Sequence, residues 1–289
     1  MLQHLIDQRR HSLGLLEVGR VLPHRGRRTV GPFVFFDHMG PATFAPGLPR
    51  EADIRPHPHI GLATISWLFD GRMVHRDSVG SEQEIFPGEV NWMTAGSGIT
   101  HSERFDHQRL HGGVLHGIQT WVALPDGKEE VAPSFAHLDA AQVPRLDEAG
   151  LRGWLIAGSA LGLASPVPVH SPLFYFHLEL DAGQALPLPP GEAAAYVVAG
   201  ALAVGTQCVG PGQMAVFAAG ARPRASVPTT LMLVGGEPVG ERYVDWNFVS
   251  SSRERIEQAK ADWVAGRIRL PDADDREFIP LPGTGPAAG

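Results

Sequence analysis

Two short segments bring together residue types that bind first-row metals. His57-Pro58-His59 places two imidazoles at i and i+2, and His101-Ser102-Glu103 does the same with an imidazole and a carboxylate. On a strand, residues two apart point to the same face. If the two strands lie side by side, three imidazoles and one carboxylate converge on a shared point. Such a set suits a divalent transition metal with one or two positions left for water or substrate. An H-x-H motif alone arises often by chance, and the surrounding chain decides whether it binds metal.

The elements that must carry these residues are strands. Thr64-Ile-Ser-Trp-Leu-Phe69 stops at Asp70-Gly71, a tight hairpin signal, and Met73-Val-His-Arg-Asp77 follows. Pro87-Gly88 turns the chain into Val90-Asn-Trp-Met-Thr94, and Ile99 to Glu103 and Gly117 to Ala123 continue the texture. Short strands at this spacing predict a β-barrel or sandwich. Gly 34 and Pro 25 supply the turns, about a fifth of the chain against a usual value of roughly 12%. The Gly/Asp-rich segment Pro125 to Pro133 interrupts the pattern, and strand texture returns at Phe174-Tyr-Phe-His-Leu-Glu-Leu180. A boundary is therefore expected near Pro133, giving a first domain over 1–133 and a second over 134–289. Near the end, serines at 250–252 precede Ile256, Ala259 and Trp263 on one face of a predicted helix.

The chain also repeats itself. Pro87-Gly-Glu-Val-Asn-Trp-Met-Thr-Ala-Gly96 matches Pro211-Gly-Gln-Met-Ala-Val-Phe-Ala-Ala-Gly220, which points to one β-barrel unit duplicated. In the second copy the positions of His57, His59, His101 and Glu103 fall on Leu186, Leu188, Ala225 and Val227. Four polar candidates becoming apolar together is the pattern of one metal site in the first barrel and a hydrophobic core in the second. An unpaired imidazole or carboxylate buried there would be costly.

Other chemistries find less support. Of 14 histidines, 11 lie between His4 and His116, and His75, His107, His111 and His116 read as surface or hydrogen-bonding groups around the site. Gly96-Ser-Gly98 is not followed by Gly-Lys-Ser/Thr, so it reads as a turn. No Gly-x-Ser-x-Gly elbow exists, and the single Cys208 has no adjacent base. Asp37-His38 cannot form a dyad, because neighbours on a strand face opposite ways. Trp67, Trp92 and Phe69 read as barrel-core packing. The net charge of −7, without a basic block, argues against a direct grip on nucleic acid. No apolar run approaches the roughly 18 residues of a membrane span. The absence of an apolar leader, together with one cysteine, reads as a soluble, reduced, cytoplasmic protein.

The segments His57 to Leu62, Asp70 to Ser78, Pro87 to Glu103 and Gly117 to Pro125 resemble the pirin family of the cupin superfamily, and so do Gly31 to Pro41 and the predicted helix Ser250 to Trp263. The resemblance covers nearly the whole chain. It implies an all-β fold of two tandem cupin barrels of the double-stranded β-helix (jelly-roll) type with a short C-terminal helix. It also implies iron in the first barrel, held by residues matching His57, His59, His101 and Glu103, and a metal-free second barrel. Mn, Co, Ni, Cu and Zn remain chemically compatible with that donor set. Ala63 departs from the family, many of whose members carry glutamate there. Some pirins have quercetin 2,3-dioxygenase activity, which implies a flavonol and O₂ as substrates and Glu103 as the catalytic proton acceptor. Others are regarded as metal- or redox-dependent partners of transcription factors or metabolic enzymes, so the alternative is a non-catalytic regulator that binds a protein.

Overall fold

A computed structural model of the protein describes residues 1–13 and 15–284. Strands dominate, with the helices Asp106–His111 and Arg253–Val264 and the 3-10 turn Arg50–Ala52. Among the described residues no helix is long and apolar enough to cross a membrane. The architecture is two tandem β-sandwich domains with a short C-terminal helix.

The chain forms two compact units, each assembled from separate segments. One comprises Met1–His11, Val18–Asp37 and Leu138–Val239; the other comprises Ser12–Glu17, His38–His137 and Gly240–Gly289. The two long segments meet between His137 and Leu138. The first strand, Leu2–Asp7, pairs with Gln213–Phe217. The terminal helix packs Ile256, Ala259 and Trp263 against Ile60 and Phe248, in the unit that carries the histidines. Ser252 caps that helix as expected, its hydroxyl accepting from the Arg255 N–H at 3.2 Å.

In the unit built mainly on 138–239, a large antiparallel sheet includes Gln213–Phe217, Glu192–Ala199, Thr229–Gly236, Leu173–Leu180 and Leu151–Ala160 in that order. Phe174, Phe176, Leu178 and Leu180 alternate along one strand and enter the same core as Val197, Leu231 and Leu233. Leu186 and Ala225 are buried in this core and Leu188 packs on it, whereas Val227 is 46% exposed. The expected correspondence is therefore off at its last position. Gln184 faces Ala225 and Leu186 faces Pro223 across the strand pair, a slip of two residues from the pairing of His57 with His101 in the first copy. A two-residue slip preserves the face and so escapes a sequence pattern of period two.

In the other unit, Leu62–Asp70 lies between Val90–Thr94 and Gly113–Ala123 in one antiparallel sheet. A second sheet runs in the order Ile54–His59, Ile99–Arg104, Met73–Asp77, Glu82–Ile85. The hairpin expected at Asp70-Gly71 is instead a corner: the strand before it belongs to the first sheet and the strand after it to the second. Gly71 has φ +89°, and a Cβ there would stand 2.2 Å from the Val114 carbonyl oxygen, so only glycine fits the bend.

Candidate metal centre

The His57 and His101 strands are antiparallel neighbours with His101 directly opposite His57 and Ile99 opposite His59. This register brings the three imidazoles together. Each offers a ring nitrogen within 4.8 Å of the other two, and all three side chains are buried. Their tautomers are set by acceptors behind them. His57 Nδ1 lies 2.9 Å from the Arg55 carbonyl oxygen, and His59 Nδ1 lies 2.9 Å from that of Asn247. A carbonyl only accepts, so each Nδ1 carries the proton and each Nε2 presents a lone pair. Trp121 packs edge-on against His59 at 5.0 Å between ring centroids.

The donors fit a metal. Nε2 of His59 and Nε2 of His101 are buried and, among the described residues, have no hydrogen-bond partner. Leaving such atoms unsatisfied costs about 1–3 kcal/mol each, and a Lewis acid supplies the missing partner. Burial also lowers the basicity of the rings: His57 is pushed down to about 4, and His59 and His101 fall well below the usual histidine value. All three are neutral at pH 7, so no proton competes with the metal. His57, His59 and His101 form a three-histidine metal-binding site.

Glu103 follows His101 by two residues, but the partner strand spends one extra residue opposite them, Ile54 facing Glu103 and His57 facing His101, and the carboxylate falls outside the group of three. It is buried and accepts a 2.5 Å hydrogen bond from Gln119 Nε2. Burial raises its pKa to about 7, while the Gln119 bond pulls the other way. Near neutral pH the group is thus divided between carboxylate and acid.

The remaining histidines take varied places. His75 is buried, 2.9 Å from Asp77 Oδ2 and 3.3 Å from His101 Nδ1. His38 Nε2 and His116 Nε2 lie 2.8 Å apart, while Asp37 pairs with Arg20, so the neighbouring Asp37 and His38 form no dyad. His107 and His111 share the short helix Asp106–His111. Trp67 and Trp92 are core residues, and Phe69 stacks near His116. Ala63 is buried between Thr94 and Val122 on the neighbouring strands.

Sequence reasoning did not single out Gln119, Asp77 or the Asn247 carbonyl. Asp77 carried a usable signal, since His75-Arg76-Asp77 repeats the i, i+2 spacing of the two metal segments. Asn247 acts through its backbone, which no motif encodes.

Comparisons with known proteins cover both units. The Pirin family model matches residues 15–122, and the Pirin C-terminal cupin domain model matches 175–269. A pirin-like protein of Caulobacter vibrioides is 58% identical over 98% of this chain and 100% of its own length. The crystal structure of a quercetin 2,3-dioxygenase from Acinetobacter baumannii superposes with a TM-score of 0.87 at 32% identity, covering 99% of this chain and 96% of that one. A bacterial pirin from Escherichia coli, solved in complex with nickel(II), shares the fold at a TM-score of 0.60 and 16% identity, over 82% of this chain and 99% of its own.

Proposed function

The chain belongs to the pirin family, and from that premise we propose that it is a metal-dependent dioxygenase that opens flavonols such as quercetin with O₂. The observation that carries this reading is the convergence of three buried, neutral histidines, two with orphaned Nε2 atoms, on one point, with the buried Glu103 two residues along the strand from His101. The Acinetobacter enzyme, alike over nearly the whole chain, supports the substrate class.

In this proposal His57, His59 and His101 hold one divalent metal, iron in the first instance, and Glu103 completes the set. A metal held there would supply Lewis acidity that favours ionisation of the flavonol hydroxyl. The chain's own residues do the rest. Glu103 receives the hydroxyl proton, and Gln119, donating to its Oε1, fixes the orientation of the carboxyl. Burial of the site keeps water from competing. One flavonol and one O₂ give an ester of two phenolic acids and one carbon monoxide, so no external reductant is required.

The test is O₂ uptake and carbon monoxide release by iron- or nickel-loaded protein against a panel of flavonols, with flavones lacking the 3-hydroxyl as controls. Stoichiometric O₂ consumption and carbon monoxide release with 3-hydroxyflavones alone is expected. Absence of turnover across the panel and across metals would favour the metal-dependent protein-binding reading instead.

A further inference from the structure

The three ligand histidines are not oriented alike. His57 and His59 each have a backbone carbonyl behind Nδ1, whereas His101 Nδ1 faces another imidazole, that of His75, at 3.3 Å. His75 Nε2 in turn lies 2.9 Å from Asp77 Oδ2. Asp77 is itself fixed, because its Oδ1 accepts the N–H groups of Val79 and Ser81, both at 3.0 Å, in the turn after the strand. Phe135 stacks on His75, with centroids 4.5 Å apart and planes 16° from parallel, and holds the ring in this plane.

We infer that Asp77 and His75 are positioning residues that place the proton of His101 on Nδ1 and thereby present its Nε2 to the metal. The logic is donor counting. A carboxylate only accepts, so His75 Nε2 carries a proton; with that single N–H on the ring, His75 Nδ1 is a lone pair. The contact with His101 is then a hydrogen bond only if His101 Nδ1 donates. That leaves His101 Nε2 as the lone pair, and this is the atom found buried and unpartnered. Behind His57 and His59 the acceptor is a carbonyl that cannot reverse. The third leg runs through a ring that can, so its direction depends on the carboxylate of Asp77, which reaches His101 Nδ1 through His75. The inference concerns metal capture and stands whether or not the site turns over a flavonol.

The experiment reads the tautomers directly. Long-range ¹H–¹⁵N correlation spectra of metal-free protein should show Nδ1–H on His101 and Nε2–H on His75; His101 protonated on Nε2 overturns the inference and needs no variant. In Asp77→Asn the amide oxygen can keep the turn while its NH₂ faces His75 Nε2. That nitrogen must then accept, the His75 proton moves to Nδ1, and His101 is driven to the Nε2–H form. Both tautomers should invert, and nickel(II) affinity should fall about 10- to 100-fold, the usual effect of losing a ligand's hydrogen-bond partner. His75→Gln offers an amide oxygen to His101 and an NH₂ to position 77. It should hold nickel(II) within a few-fold of wild type and abolish the effect of Asp77→Asn in the double variant. Unchanged tautomers in Asp77→Asn, or an equal loss of affinity with and without His75→Gln, would assign the effect to the turn and overturn the inference. Thermal melts of each variant establish that folded protein is being compared.

Discussion

Burial acts on the histidines and on Glu103 in opposite chemical senses, and both outcomes serve the site. It strips protons from His57, His59 and His101 and retains one on Glu103, since in each case the neutral form is favoured in low dielectric. His101→Ala should abolish stoichiometric metal binding yet leave a folded barrel, because the duplicated barrel buries Leu186 and Ala225 in the equivalent strand pair. Elemental analysis beside circular dichroism checks this; wild type should hold one metal per chain and the variant close to none. Glu103→Gln should retain metal through the histidines but lower flavonol turnover by about 10²–10⁴, the usual value of a positioned general base. Quercetin consumption at matched metal occupancy is the measurement, and equal rates would remove Glu103 as proton acceptor. At this scale the ligand histidines were legible, since i, i+2 spacing on strands needs no tertiary knowledge. Gln119 was not, because a lone amide on the strand Gly113–Ala123 acquires its role only through the long-range contact with Glu103.

The strand Ile99–Arg104 shows how one element serves both chemistry and stability. His101 and Glu103 face the site, and the alternate residues Ser102 and Arg104 both bind Asp274, whose carboxylate accepts from Ser102 Oγ at 2.6 Å and from Arg104 Nε and Nη2 at 2.7 Å. Arg104 is buried, with Asp53 and Glu277 as further partners. Asp274→Ala leaves that guanidinium under-compensated, and breaking a buried pair in this way costs about 3 kcal/mol or more. The urea midpoint of the metal-free protein should fall accordingly, and an unchanged midpoint would show that Asp53 and Glu277 suffice. The sequence revealed the strands themselves but not the sheet to which each belongs. Asp70-Gly71 has hairpin chemistry, yet the backbone of the neighbouring strand at Val114 leaves room only for a glycine turning between sheets.

For the molecule as a whole, acid should be destabilising. His38, His57 and His177 are each pushed down to about 4 by burial, and His59 and His101 lie well below the ordinary value. An unfolded histidine takes up its proton near pH 6.5, whereas His38, His57 and His177 do so only near 4 while folded, and burial holds His59 and His101 well below the ordinary value. The unfolded state therefore binds more protons in that window, and stability is lost as pH falls through it. Glu103 and Asp37 work the other way: burial raises Glu103 to about 7 and lifts Asp37 above the usual carboxylate value, so both take up protons more readily when folded and stabilise on acidification, against the larger set of buried histidines. Melting temperatures of metal-free protein should drop steadily from pH 6.5 to 4, and a rise over that interval would contradict the assignment. The duplication was legible from its Pro-Gly turns, but the membership of the chain ends was not, since Met1–His11 and Gly240–Gly289 lie outside the repeat. That membership has a consequence for biosynthesis. The ribosome delivers His57, His59 and His101 early, but the Asn247 carbonyl that orients His59 emerges about 146 residues after His101. At roughly 5–20 residues per second this is a delay of about 7–30 s. A nascent chain halted before Gly240 carries all three ligands without that acceptor and should capture nickel(II) more weakly than the released protein, so that metallation becomes a reading of completed translation.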